Sequence, residues 1–165
     1  MDQCVHNMLM LPWPGIGPQK PNPALVRTLF GAYAGTHGEW TAVAQATYAG
    51  LVTETDTRLS DLFFCVAQDD LLHFKKLGRL IIQYGGNPKL LSYTGRQARW
   101  WSAGAVAYNR EPQALLRQQI AMKREVVQFY KQLIARMEPA PQAVIQRILQ
   151  DETHHIELFQ RALKA

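Results

Sequence analysis

The sequence predicts an all-α protein, an antiparallel four-helix bundle with one long crossover between its second and third helices. Three observations point there. Apolar residues recur at steps of three and four along four long stretches. Two of the joints between stretches are short and carry turn residues, as antiparallel neighbours require. The third joint, residues 87–111, runs to about 25 residues, long for a loop in a compact domain. A bundle whose second hairpin docks on its first needs one such connection.

Taken in order, residues 1–22 hold Pro12, Pro14, Gly15, Gly17, Pro18 and Pro21 and read as an irregular arm. The bundle itself spans residues 23–165. Its first helix runs from Pro23 to about Thr53, although Gly31, Gly35, Gly38 and Gly50 weaken it. Asp56 caps a second helix that stops at Gly85 and Gly86. The third runs from about Pro112 to Met137, where Pro139-Ala140-Pro141 breaks the pattern, and the fourth from Pro141 almost to the end. In the crossover, Trp100, Trp101 and Tyr108 supply apolar surface to lie flat on the bundle. No convincing alternating strand and no repeat of solenoid period is found.

The bulk numbers exclude several classes. A chain of 165 residues makes one domain with room for a core. The net charge of +5 is spread over Arg27, Lys75, Lys76, Arg79, Arg117 and others, without the basic block of a nucleic-acid surface. No apolar run is long enough for a bilayer, and the first residues lack the pattern of a secretory signal. Cys4 and Cys65 are too few for a disulfide framework and match no zinc spacing, which suggests a reducing, cytoplasmic setting. Cys65, among Phe63, Phe64 and Val66, reads as a small core residue. Gly15-Ile16-Gly17 follows no strand and is too short for a phosphate loop. No flavin, haem or nucleotide motif stands out.

The informative residues are polar groups on faces that should be dry. The second helix presents Leu59, Phe63, Val66, Asp70, His73, Leu77 and Ile81 on one face; the fourth presents Ile145, Ile148, Glu152, His155, Phe159 and Leu163. Each face is apolar except for a carboxylate and a histidine at i and i+3. The first helix adds Glu39 among Ala32, Gly35, Val43 and Ala46, and the third adds Lys123 among Leu116, Ile120, Val127 and Tyr130.

These groups should also meet. Residues that face each other across a hairpin lie equally far from its turn. The midpoint of Glu39 and Asp70 falls at Glu54 and Thr55, before the cap Asp56; that of Lys123 and Glu152 falls at Met137 and Glu138, beside Pro139. A buried carboxylate must be neutralised, paired or bound to a cation. Two such acid–histidine pairs with an acid from a further helix describe a carboxylate-bridged metal site, in which hard oxygen ligands hold and bridge the ions and each ion takes one imidazole; the bland alternative is a hydrogen-bonded polar cluster without metal.

The stretches YAGTHGEWTAVAQATY, VAQDDLLHFKKLGRLI, GGNP, GRQARWWSAGAVAY and RILQDETHHIELF give residues 22–165 a resemblance to the ferritin-like superfamily, and within it to small bacterial proteins related to rubrerythrins and manganese catalases. The resemblance implies a left-handed bundle and a centre for two iron or manganese ions that reacts with peroxide or dioxygen. Residue by residue, it assigns metal ligation to Glu39, Asp70, His73, Glu152 and His155, with Asp70 where glutamate is usual. Lys123 departs from the pattern, which has glutamate there, and so does neutral Gln128.

Lys123 changes the charge balance. Three carboxylates and one ammonium leave a net of minus two, which one divalent ion balances. The expectation is therefore one ion near Glu39, Asp70 and His73, with Lys123 bridging Glu152 and a neighbouring carboxylate near the vacated position. Lys123, Tyr48 and Tyr130 are the residues with candidate catalytic roles. Two other fates of Lys123 stay open: its amine escapes to water along the core, or Glu125, about 200° around the helix, supplies the missing acid through a bulge. His154, about 100° from His155, and His37 lie off the inner faces. The functional expectations are an iron or manganese oxidoreductase acting on peroxide or dioxygen, a degenerate module in which Lys123 replaces metal, and, more remotely, iron storage. Metal ions are the expected partners; nucleic acid and membrane are not. The Trp-rich crossover and the arm are the places for contact in a homo-oligomer.

Overall fold

The computed structural model describes Cys4 and residues 8–165; the arm expected over residues 1–22 lies outside the described residues at 1–3 and 5–7. Within residues 8–165, five α-helices and a small hairpin follow in order: α1 (Pro23–Ala34), α2 (Glu39–Val52), α3 (Thr57–Gln83), β1 (Leu91–Thr94), β2 (Gln97–Trp100), α4 (Pro112–Ile134) and α5 (Pro139–Lys164). α1 with α2 forms the first rod of a four-rod bundle; α2 packs along α3, and α4 packs along α5.

The first rod is broken where one continuous helix was expected. α1 ends at Gly35, and Gly38 starts α2 in extended backbone. The glycines permit a turn too tight for side chains. A Cβ on Gly35 would meet the Gly31 carbonyl oxygen at 2.4 Å, and one on Gly38 would meet the Gly35 nitrogen at 2.7 Å. Elsewhere the helices begin where local chemistry dictates. Asn22 accepts from the Leu25 N–H, Asp56 from Leu59, and Glu111 from Gln113 and Ala114. Pro139 and Pro141 do not break α5. They lie in its first turn, where no intrahelical N–H is needed. α3 stops at Tyr84, followed by Gly85 at φ +85°.

The crossover contains two antiparallel strands, contrary to the expectation of none. Leu91 pairs with Trp100 and Thr94 with Gln97, around Gly95 at φ +59°. Tyr93 packs edge-on against Phe30, and Arg27 lies over the Tyr93 ring and donates to the Gly95 carbonyl. Farther on, the Gln45 amide both donates to and accepts from the Ala107 backbone, and Trp101 donates to Thr41. Trp101 thus lies on the bundle, whereas Trp100 and Tyr108 are exposed.

Cys4 and Cys65 are not free thiols: they form a disulfide with Cα atoms 5.2 Å apart. Such bonds persist in oxidising surroundings, so the argument from cysteine count to a reducing compartment does not hold. The arm from Leu9 to Asn22 has no regular structure and lies on the bundle. Among the described residues, no helix is long and apolar enough to cross a membrane.

Two apolar clusters bracket the middle of the bundle. Leu59, Phe63, Val66, Leu115, Leu116, Ile120 and Phe159 fill one end. Phe30, Tyr33, Leu77, Ile81, Tyr130, Ile145 and Ile148 belong to the other. Asp70 and His73 on α3, Lys123 on α4, and Glu152 and His155 on α5 all fall between them in sequence.

Candidate metal centre

The level faces do converge. Glu39, Asp70, His73, Lys123, Glu152 and His155 are all at most 1% exposed. Lys123 Nζ donates to Asp70 Oδ1 at 2.5 Å and to Glu152 Oε1 at 2.9 Å, so its amine does not reach water. His73 Nδ1 lies 3.5 Å from Glu39 Oε2 and 3.3 Å from Glu152 Oε1. His155 Nδ1 lies 3.5 Å from both Asp70 Oδ1 and Glu152 Oε1. The Tyr130 hydroxyl donates to Glu39 Oε1.

Other candidates lie elsewhere. Tyr48 is half-buried and packs edge-on against Tyr108 of the crossover. Glu125 is exposed and paired with His37 at 2.9 Å, so no bulge brings it inward. Gln128 is exposed, and His154 faces Glu157 at 3.8 Å.

Two residues of the cluster were not singled out from the sequence. Asp69 Oδ2 lies 3.0 Å from His155 Nε2, and Asp151 Oδ2 lies 3.0 Å from His73 Nε2. Each aspartate precedes the acid of its own helix and serves the histidine of the other. The signal was present twice: Asp69-Asp70-x-x-His73 and Asp151-Glu152-x-x-His155 share one spacing. An aspartate that accepts the Nε2 proton fixes the ring and directs Nδ1 at the centre. Asp151 is also paired with Arg147, one turn away.

Electrostatics follow from burial and crowding. Burial pushes the Asp70 carboxyl up to about 7, opposed by Lys123. Burial acts on Glu152 too, but Lys123 and the two imidazoles beside it hold it well below the carboxylate range. Burial disfavours the charged imidazole of His73, yet Glu39, the hydrogen bond to Asp151 and the nearby Glu152 raise it well above its ordinary value. His155, opposed by burial and Lys123 but bonded to Asp69 and close to Glu152, rises to about 9. Lys123 stays protonated: burial works against it, but Asp70 and Glu152 raise it further.

The residues present fit a cation. One ligand atom each from Glu39, Asp70, His73 and Glu152 lies within 4.8 Å of the others. Glu39 Oε2, Asp70 Oδ2, His73 Nδ1, Glu152 Oε2 and His155 Nδ1 are buried without hydrogen-bond partners. Orphaned buried acceptors are costly, and oxygen with imidazole nitrogen is a donor set for manganese or iron. Two surface grooves, of about 320 and 600 Å³, are lined by none of these residues.

No protein-family model matches the sequence, and no curated protein sequence matches it. Solved structures share its fold. The manganese catalase KatB from Anabaena superposes with a TM-score of 0.84 at 20% identity, over 94% of this chain and 78% of that one. A second structure, of wild-type KatB, gives 0.83 at 21% over the same shares. A bacterioferritin from Rhodobacter capsulatus, described with a metal-free dinuclear site and haem iron, gives 0.71 at 15%, over 88% of this chain and 87% of that one. At these identities the likeness carries the fold, which is the ferritin-like bundle expected from the sequence.

Proposed function

We propose that the chain is a ferritin-like metalloprotein that holds one manganese or iron ion on Glu39, Asp70, His73 and Glu152, with Lys123 as a fixed second cation, and that it acts on peroxide or dioxygen. The observation that carries this reading is the convergence of unpartnered ligand atoms beside an ammonium already bonded to two of the same carboxylates. The manganese catalase among the fold neighbours supports the choice of metal and substrate.

The ion, when bound, supplies redox equivalents and Lewis acidity. The chain's own residues do the rest. Asp69 and Asp151 orient the imidazoles through Nε2. Tyr130 holds Glu39 by one oxygen and leaves the other free. Lys123 neutralises Asp70 and Glu152 without spending a ligand position, and its ammonium attracts the oxygen atoms of a small substrate. The two apolar clusters keep bulk water out. Cys4–Cys65 favours an oxidising setting over the expected cytoplasm. Exposed Trp100 and Tyr108 leave the crossover as the surface for self-association.

A second reading, a metal-free module, is favoured by the bonds of Lys123 to both carboxylates. With both imidazoles protonated, Lys123, His73 and His155 would offset Glu39, Asp70 and Glu152, while Asp69 and Asp151 accept from the imidazoles. Elemental analysis of chelator-free protein separates the two. About one ion per chain, with turnover of hydrogen peroxide, is expected; two would overturn the role of Lys123, and none after soaking with manganese or iron would leave the metal-free module.

A further inference from the structure

The buried cluster approaches the surface at Asp69, whose side chain is 12% exposed. Cys4 is bonded to Cys65, one helical turn before Asp69. On α5, Arg147, one turn before Asp151, donates to the carbonyls of Leu9 and Leu11 at 2.9 and 3.4 Å. The Trp13 ring lies 5.9 Å from the His73 ring, with Lys76 at 4.8 Å and Arg147 at 4.9 Å from its centre. Gln83 then holds the Ile16 carbonyl, and the Asn22 N–H donates to Tyr84. The arm from Leu9 to Asn22 is therefore held to α3 at His73, Lys76, Gln83 and Tyr84 and to α5 at Arg147, on the side of the centre where Asp151 meets His73.

From Leu9 to Asn22 the arm has no regular structure of its own, so its position depends on these anchors. Segments held by few contacts open locally at low cost. The disulfide is the covalent anchor, and it joins residues 61 positions apart.

We propose that the arm is a redox-released strap, closed over the centre while Cys4–Cys65 is intact and opened when a dithiol reduces it. Cys4 is half-buried and Cys65 is buried, so a thiolate of the dithiol attacks Cys4 Sγ and the Cys65 thiolate leaves. The second thiol of the reductant resolves the mixed disulfide. Two electrons and two protons pass to Cys4 and Cys65, and the dithiol becomes its own disulfide. Release uncovers the edge of His73 and frees Arg147, the partner of Asp151, which admits a divalent ion. That last consequence rests on the proposed metal function; the opening itself does not.

The test compares metal-free protein in its disulfide form, after dithiothreitol, and as Cys4→Ser. Imidazole C–H exchange at His73 should rise about tenfold on reduction, and acrylamide should quench the fluorescence of Trp13, which lies against it, more strongly. Cys4→Ser should exchange fast with or without reductant, while the amides of α4 stay protected. Manganese uptake should quicken in parallel. Unchanged imidazole exchange, a Cys4→Ser variant no faster than the disulfide form, or loss of protection in α4 would each overturn the strap. Faster exchange without manganese uptake in any form supports the strap and overturns the metal function.

Discussion

Lys123 on α4 reaches across the bundle to Asp70 on α3, Nζ to Oδ1, at 2.5 Å. The same ammonium holds Glu152 of α5 at 2.9 Å, so a single side chain joins three of the four rods at their middle. Removing one partner of such a buried pair costs about 3–5 kcal/mol, because the other charge is left stranded. Lys123→Met should lower the stability of the metal-free protein by about that amount, read from urea unfolding, and manganese should restore part of it.

Lys123→Glu should raise the metal content from about one ion per chain toward two. The added carboxylate stands where the ammonium now bonds Asp70 and Glu152, and only a second cation can balance it. Elemental analysis checks this. An unchanged content would show that Lys123 does not occupy a cation's place.

Asp69→Asn and Asp151→Asn keep shape but can present an amide N–H to imidazole Nε2, which turns the ring's proton toward the centre. Asp151→Asn, which acts on the ligand His73, should weaken manganese binding about 10–100-fold, measured by titration, with the helical content unchanged; Asp69→Asn, which acts on His155 outside the proposed ligand set, should weaken it less.

Tyr130→Phe strips Glu39 Oε1 of its donor. In the metal-free protein this should cost about 1–3 kcal/mol, the usual penalty for a buried polar group left unsatisfied. The thermal midpoint is the readout.

Stability of the metal-free protein should fall as pH rises from about 6.5 through about 9. His155, raised to about 9, and His73, raised in the same direction, bind protons more tightly folded than unfolded. Their contribution is complete below the ordinary imidazole value and is lost as pH passes the folded one. Asp70, raised to about 7, adds the same sign at lower pH. Glu152, held low, acts in the opposite sense, and its contribution disappears toward acid. Manganese competes with the proton at His73 Nδ1, so its stabilising effect should grow across this window. Thermal melts with and without manganese between pH 6 and 10 give the comparison, the window following from the shifts above.

Helical periodicity made most of the centre legible. Asp70, His73, Glu152 and His155 interrupt apolar faces at the spacing that keeps them on one side, and equal distance from each turn placed Glu39 and Lys123 level with them. Asp69 and Asp151 were harder because each lies about 100° from its neighbouring acid, off the face that periodicity selects. The break before Glu39 depends on contacts that only a folded turn reveals, although Gly35 and Gly38 hinted at it. The hairpin escaped because β2 exposes all its residues, so no face alternates. The disulfide depends on where the arm lies, which neither cysteine's neighbours specify. Tyr48 shares the α2 rod with Glu39 but points its ring at the crossover.

Asp69 and Asp151 each serve the histidine of the opposite helix, and this has a consequence for assembly. α3 belongs to one hairpin and α5 to the other, so neither half alone can orient either imidazole. Local pairing can shape each half early, since its contacts are close in the chain. The coordinating geometry comes into being only when the halves meet, and a cation that arrives then reinforces the last, most distant union in the chain.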